Sequence, residues 1–272
     1  MILIMEPQPL PEHDAPAPPA PGGPTGRRRP GTAASPPRTP LLDQGALGSR
    51  VAALVFRIAA LALIAAGVVR ITGIFTPSPS WNALLYYTVL SNLLCLVWVA
   101  LLVVRTARDL RAGGDRGWST PSAYWSGAVM MAITVTMLVY LVVLVPSAFV
   151  QGGDYQPFSL TDNLIHVVTP CLLIADWLLF APKGRLRWGD PLRWTLIPYA
   201  YLVFAFVYSG LGGRFAAGAS YPYPFLDVAT HGIGGVAIRV LVLSVVLVGV
   251  GYVYVVVDRL LGRVFGASAP RR

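Results

Sequence analysis

The chain has 272 residues, of which 55% are hydrophobic and only 12% are charged. Soluble domains carry roughly 25% charged residues, so this composition excludes an ordinary soluble enzyme and favours a polytopic membrane protein. The formal net charge is +9. The positions of the basic residues decide whether that charge indicates a nucleic-acid partner or a membrane.

Residues 1–50 differ in composition from the rest of the chain. They contain the runs PAPPAPGGP and ASPPRTP together with arginines, the last of which is Arg50. A segment so rich in proline cannot bury a core. We therefore predict a disordered cytoplasmic tail that touches anionic lipid.

Long apolar runs follow from Val51 onward, separated by short polar loops. Six runs are long enough to cross a bilayer core of about 30 Å, and they occupy residues 52–75, 82–104, 124–146, 160–180, 192–210 and 234–257. Tryptophans and tyrosines cluster near the ends of these runs, which is typical of a membrane interface. We predict an all-α fold, with six transmembrane helices over residues 51–258 and a short basic tail over residues 259–272.

The basic residues fall in alternate connections. They occur in both tails and in the loops after the second and fourth runs, whereas residues 71–81 and 147–160 contain none and residues 211–233 contain only Arg214. The positive-inside rule then places both termini in the cytoplasm of a cell-membrane protein. Because the charges follow the membrane topology and form no basic stripe, we expect no nucleic-acid partner.

Burying a polar side chain within a membrane span is energetically unfavourable, so we expect each such residue to have a structural or functional role. Thr88 and Asn92 lie four residues apart, as do Asp162 and His166, so each pair shares one face of its helix. Thr88 and His166 each lie about six residues from the outer end of their helix, which is about 9 Å at 1.5 Å per residue. We expect one polar layer beneath the outer interface, formed by Thr88, Ser91, Asn92, Tyr140, Asp162, Asn163, His166 and Arg239.

Two interpretations of this layer remain open at the level of the sequence. The side chains could be hydrogen-bonding groups that join the helices. They could also perform acyl transfer, with Thr88 as the nucleophile and His166 as its base. Asp162 would then orient the imidazole, and the donors to the oxyanion would come from Asn92, Tyr140, Asn163 or Arg239.

The sequence supports metal or cofactor chemistry less than it supports acyl transfer. The chain has three histidines and two cysteines, and they form no metal-binding motif. A haem held by His166 and His231 is a less favoured alternative, because the two histidines are predicted at unequal depth. We therefore expect neither a metal nor a cofactor.

The outer loop before the last run reads YPYPFLDVATHG over residues 221–232. It is either an aromatic anchor at the interface or a lid over the polar layer. In the second case we expect Asp227 to pair with Arg214 or Arg239.

Several segments resemble a known family when they are taken in order. YYTVLSNLL (86–94), NLIHVVTPCLLIADWLLF (163–180), WTLIPYAYLVF (194–204) and YPYPFLD (221–227) resemble the androgen-induced protein family, which includes the androgen-dependent TFPI-regulating protein. They resemble its bacterial six-pass branch more closely. The resemblance covers most of residues 51–257.

The resemblance implies a chemistry. The animal members of the family are threonine hydrolases that cleave fatty acid esters of hydroxy fatty acids, and their threonine and histidine match Thr88 and His166. The acidic residue of the family matches Asp176, which we interpret as structural and expect to pair with an arginine of the 181–193 loop.

The predicted function is that of an intramembrane hydrolase of fatty-acyl lipid esters that acts through an acyl-Thr88 intermediate. Its substrate would enter from the outer leaflet. The alternative is a non-catalytic lipid-binding or transport-associated protein, in which Thr88, His166 and Arg239 bind a headgroup or shuttle a proton.

Overall fold

A computed structural model describes residues 42–43, 46–146 and 157–266 of the chain. A short antiparallel pairing of Leu42–Asp43 with Ala46–Leu47 comes before the first helix. The predicted disordered tail of residues 1–50 lies largely outside the described residues. The helices are α1 (Arg50–Thr72), α2 (Tyr87–Gly113), α3 (Ala123–Leu144), α4 (Leu160–Phe180), α5 (Asp190–Trp194), α6 (Leu196–Gly210) and α7 (Val228–Gly266).

Five of the described helices, α1 to α4 and α7, are long and apolar enough to cross a membrane. The predicted all-α class is therefore confirmed. The run predicted over residues 192–210 forms two helices, because the short α5 ends at Trp194 and α6 begins at Leu196. Pro198 contributes to this break, since its nitrogen cannot donate a hydrogen bond to the carbonyl of Trp194.

Local sequence determines where the helices begin and end. The hydroxyl of Ser49 accepts a hydrogen bond from the amide of Ala52 at the start of α1, at 3.3 Å, and Ser122 caps α3 in the same way. Gly73 ends α1 in the left-handed conformation with φ of 57°, which glycine adopts without a steric penalty. The helix boundaries therefore have identifiable chemical causes.

Helix α7 is longer than predicted. It spans 39 residues, with non-helical angles at Gly232, and residues 259–266 of the predicted basic tail belong to it. At 1.5 Å per residue it extends about 58 Å, which exceeds the thickness of a bilayer core. Part of α7 must therefore lie outside the hydrocarbon core of any membrane that it crosses.

Helix α3 is the most enclosed of the five long helices. One side of it packs in a cluster with α1, α2 and α4, which includes Ile64, Cys95, Leu102, Ile133 and Leu173. Its other side packs with α5 to α7 in a second cluster, which includes Met131, Trp194, Tyr201, Leu247 and Tyr254. The core of the protein is therefore built around α3.

A buried ion pair joins α1 to α4. Nε of Arg57 donates to Oδ1 of Asp176 at 2.7 Å and Nη2 donates to Oδ2 at 3.2 Å. Arg57 is only 1% exposed, and it also donates to the hydroxyls of Thr106 at 2.6 Å and Thr120 at 3.3 Å. The guanidinium group is thus neutralised and its donors are used inside the bundle.

This pair corrects the expectation that Asp176 binds an arginine of the 181–193 loop. Arg57 lies two turns into α1, within the apolar run 52–75, where the sequence analysis overlooked it. The amino-terminal end of α1 and the carboxyl-terminal end of α4 meet at the same end of the bundle, so the two charges are brought together across the helices rather than along the chain.

We predict that Arg57→Ala destabilises the fold by about 3–5 kcal/mol, because it leaves the Asp176 carboxylate buried without a partner. The control is Arg105→Ala, which removes an exposed pair with Asp109 and is expected to cost less than about 1 kcal/mol. Denaturant titration of the purified protein in detergent measures both. Equal losses in the two variants would contradict the interpretation.

A second prediction concerns the contact between α3 and α5 at Gly127. A Cβ atom at this position would overlap the indole ring of Trp194, whereas a Cβ at Gly249 on α7 meets nothing within 4 Å. Gly127→Ala should therefore lower the unfolding temperature. Gly249→Ala should leave it unchanged or raise it, since alanine is favoured over glycine within a helix by about 1 kcal/mol. Thermal unfolding of the two variants compares them directly.

Candidate functional site

Thr88 is the second residue of α2, close to one end of the bundle. The helix begins after Tyr86, whose backbone is extended and whose side chain provides no cap. The first amides of a helix have no acceptor within the helix itself. The amides of Val89 and Leu90 both donate to the carbonyl of Tyr86 at 3.1 Å. The start of α2 therefore presents the hydroxyl of Thr88 together with the main-chain amide of Thr88.

Thr88 lines a cavity of about 50 Å³ between α2, α3, α6 and α7. Side chains of the outer loop, including Tyr223 and Phe225, also line it. The rest of the lining is mostly apolar and includes Val135, Val139, Leu202, Val240, Leu243 and Leu247. A lining of apolar side chains with few polar groups suits an apolar ligand.

Tyr223 is a site residue that the sequence analysis did not single out. Its hydroxyl approaches both the hydroxyl and the main-chain amide of Thr88, and it also approaches Tyr201. Burial raises the pKa of Tyr223, so the phenol is protonated at neutral pH and can donate a hydrogen bond. The YPYPF motif signalled an aromatic loop, but only the folded chain brings Tyr223 to Thr88.

His166 lies in a π-helical turn of α4, Leu164–Val168. Its ring stacks on Tyr140, with a centroid distance of 4.1 Å and an interplanar angle of 11°. Tyr140 lies in a π-helical turn of its own, Tyr140–Leu144 of α3. Such turns occur frequently at functional sites, and here two of them face each other.

The main chain, rather than the carboxylate, orients His166. Nδ1 lies 3.1 Å from the carbonyl oxygen of Asp162 and 3.9 Å from its carboxylate oxygen. The carboxylate accepts a hydrogen bond from the hydroxyl of Ser159 at 2.8 Å. A carbonyl can only accept, so the proton belongs on Nδ1 and Nε2 has the lone pair that a general base needs. This corrects the predicted role of the Asp162 side chain.

Asn92 links the surroundings of the two predicted catalytic residues. Its Nδ2 donates to the carbonyl of Thr88 at 2.7 Å and to the carbonyl of Ile165, the neighbour of His166, at 2.9 Å. Ser91 adds a donor to the Thr88 carbonyl at 3.0 Å. The start of α2 and the π turn of α4 are therefore held side by side.

Thr88 and His166 themselves have different immediate neighbours. Within the described residues no hydrogen bond joins their side chains, and His166 is not among the residues that line the cavity. The imidazole stacks on Tyr140, while Thr88 faces Tyr223. The structure thus joins the surroundings of the two residues through Asn92, without a hydrogen bond between their side chains.

The remaining predicted site residues have other partners. Asn163 donates to the carbonyl of Phe158 at 2.8 Å, and the Tyr140 hydroxyl accepts from the amide of Phe158 at 2.7 Å, so both hold the segment before α4. Arg239 is exposed and donates to the carbonyl of Gly235 on its own helix at 3.1 Å. It is therefore separate from the polar layer.

Asp227 stands at the start of α7. Its carboxylate accepts from the amide of Ala229 at 2.9 Å and from the hydroxyl of Thr230 at 2.7 Å. The hydrogen bond from Thr230 lowers the pKa of Asp227. Arg214 contacts Ser220 instead. The expected pairing of Asp227 with Arg214 or Arg239 is thus replaced by a local cap, which is the ordinary role of an aspartate before a helix.

Comparison with known proteins assigns no family to this chain. No family model, no curated protein and no solved structure matches the chain. In the described part of the chain no group of three or more His, Cys, Asp or Glu side chains could hold a metal ion. The functional assignment therefore depends on the geometry around Thr88.

We predict that Asn92→Asp is strongly destabilising, by more than about 2 kcal/mol. The variant places a carboxylate oxygen against two carbonyl oxygens in a fully buried position. The matched control is Asn163→Asp, which loses one donor near the start of α4, where a negative charge is favourable. Unfolding in denaturant measures both changes, and equal stability of the two variants would contradict the bridging role of Asn92.

Proposed function

We propose that this chain is a multi-pass protein of the cell membrane that hydrolyses fatty-acyl lipid esters, with Thr88 as its nucleophile. The observation that supports the proposal most directly is the position of the Thr88 hydroxyl. It lies at the start of a helix, beside the protonated hydroxyl of Tyr223, at the edge of an apolar cavity. This combination provides a hydroxyl, hydrogen-bond donors and space for an acyl chain.

Six spans with both termini in the cytoplasm are part of the proposal. Five helices have sufficient length and apolarity. Helices α5 and α6 together cover residues 190–210, about 31 Å at 1.5 Å per residue, which is enough for a sixth crossing. The alternation of connections rich in basic residues with connections that have one basic residue or none supports the orientation.

An acyl chain has a plausible path to the site between α2 and α6. A second space of about 290 Å³ lies between these helices and is lined by Leu90, Leu94, Ile197 and Phe204. Tyr87 and Tyr201 line both this space and the cavity of Thr88. An ester could therefore enter sideways from the lipid, with its chain among apolar side chains and its carbonyl near Thr88.

In the proposed reaction, Oγ1 of Thr88 attacks the carbonyl carbon of the ester while Nε2 of His166 takes its proton. The oxyanion accepts hydrogen bonds from the Tyr223 hydroxyl and the main-chain amide of Thr88. The departing alcohol receives the proton from His166, and a water molecule then hydrolyses the acyl-threonine. The mechanism requires Nε2 to reach Thr88 when substrate is bound, a contact that often tightens only in the substrate complex.

A second candidate is a non-catalytic lipid-binding protein. It is favoured by the separate hydrogen-bond partners of Thr88 and His166 and by the absence of His166 from the cavity lining. In that case Thr88 and Tyr223 would bind the polar group of a lipid, and no covalent intermediate would form.

Labelling with a fluorophosphonate probe tests the nucleophile. The wild-type protein in detergent should become labelled and should hydrolyse long-chain esters, whereas Thr88→Val should do neither, because it keeps the shape of threonine and loses the hydroxyl. Thr136→Val is the matched control, since Thr136 lines the same cavity. His166→Ala should lower the rate about 10²–10⁴-fold.

Unchanged labelling in folded Thr88→Val would refute the assignment of the nucleophile. Absence of labelling in the wild type, combined with saturable binding of a fatty-acyl ester that Thr88→Val weakens, would favour the lipid-binding function instead.

A further inference from the structure

A second cavity opens at the end of the bundle opposite Thr88. It has a volume of about 460 Å³ and lies between the start of α3 and the segment that joins α4 to α6. Three arginines and one aspartate line it, so its charged side chains sum to 3 − 1 = +2. The lining residues are Ala123, Tyr124, Arg185, Arg187, Asp190 and Arg193.

The backbone of this segment is fixed against α7. The main-chain carbonyl of Asp258 accepts a hydrogen bond from the amide of Gly184 at 3.0 Å, and its carboxylate accepts one from the amide of Leu186 at 2.8 Å. The guanidinium group of Arg259 donates to the Leu186 carbonyl at 3.2 Å. Gly184 and Gly262 are so close that a Cβ atom at Gly262 would overlap the Gly184 backbone. The arginines on this segment are therefore presented from a fixed support.

The single carboxylate among the residues that line the cavity, that of Asp190, already accepts a hydrogen bond within the loop. Oδ2 of Asp190 accepts from the amide of Arg187 at 2.8 Å, and the amide of Asp190 donates to the carbonyl of Arg187 at 3.0 Å. The guanidinium of Arg185 stacks over the ring of Trp118 at 4.9 Å. Asp190 thus shapes the loop and has limited capacity to neutralise the three guanidinium groups.

Lys183 does not line this cavity. Its ammonium group donates to the carbonyls of Trp177 at 2.6 Å and Ala181 at 2.5 Å. Burial lowers the pKa of Lys183 to about 8, against the opposing effect of nearby Asp258 and Asp176. The anion-binding groups are therefore the three arginines.

Exposed apolar side chains surround the cavity. Trp125 and Trp188 are about half exposed, as are Leu192 and Leu196 on α5 and the start of α6. Tryptophan beside arginine is typical of a membrane interface. A soluble anion would need no such apolar surroundings, whereas a lipid offers a phosphate for the arginines and acyl chains for the leucines.

We propose that the cavity formed by Arg185, Arg187 and Arg193 binds the phosphate headgroup of an anionic phospholipid in the adjacent leaflet. The guanidinium groups hold the phosphate oxygens through charge-assisted hydrogen bonds, and the acyl chains lie along Leu192 and Leu196. This site is separate from the cavity of Thr88, so the proposal is independent of hydrolysis.

Titration of the delipidated full-length protein with short-chain phosphatidylglycerol in neutral detergent tests the site. We expect saturable binding that raises the unfolding temperature, with phosphatidylcholine giving no comparable effect. The double variant Arg187→Gln/Arg193→Gln should bind at least 10-fold more weakly. The control Arg108→Gln/Arg111→Gln removes the same charge from exposed positions at the same end of the bundle and should stay within about twofold of the wild type.

Two outcomes would overturn the proposal. Equal weakening by the two double variants would show that the lipid responds only to general surface charge. Inorganic phosphate that binds as tightly as the lipid and competes with it would show a pocket for a soluble anion. The unfolding temperature of each variant without lipid verifies that these exposed substitutions leave the fold intact.

Discussion

Neutralisation of one buried charge is the constraint on which the arrangement of the helices depends. Arg57 lies among apolar helices, where an unpaired guanidinium is very unfavourable. Its contacts with Asp176 on α4, Thr106 on α2 and Thr120 before α3 align four segments at one end of the bundle. Because helices are stiff, this alignment also determines what meets at the other end, where Asn92 joins α2 to α4.

The protein separates its polar chemistry between the two ends of the bundle. One end brings the hydroxyls of Thr88 and Tyr223 to an apolar cavity. The other end gathers guanidinium groups in a cavity surrounded by tryptophan and leucine. Between the two regions the described interior consists of two clusters of apolar side chains.

Much of the fold could be predicted from the sequence, because long apolar runs have few stable alternatives to helices. The shared face of Thr88 and Asn92 also followed from helical spacing alone. The partner of Asp176 could not be predicted, since it depends on which helices are neighbours. The contact of Tyr223 with Thr88 depends on the path of a loop, and the role of the Asp162 carbonyl arises from the π turn that follows it. Periodicity carries no information about any of these three features.

The π turn that contains His166 has a consequence for the rest of α4. A turn closed from residue i to i+5 contains one residue more than an α-helical turn, and each residue rotates a helix by about 100°. The extra residue in Leu164–Val168 therefore sets the rotational phase of everything after it, including Asp176. The same π turn of α4 therefore determines both the orientation of the histidine ring and the contact of Asp176 with Arg57. Deletion of a single residue from the turn would disrupt both.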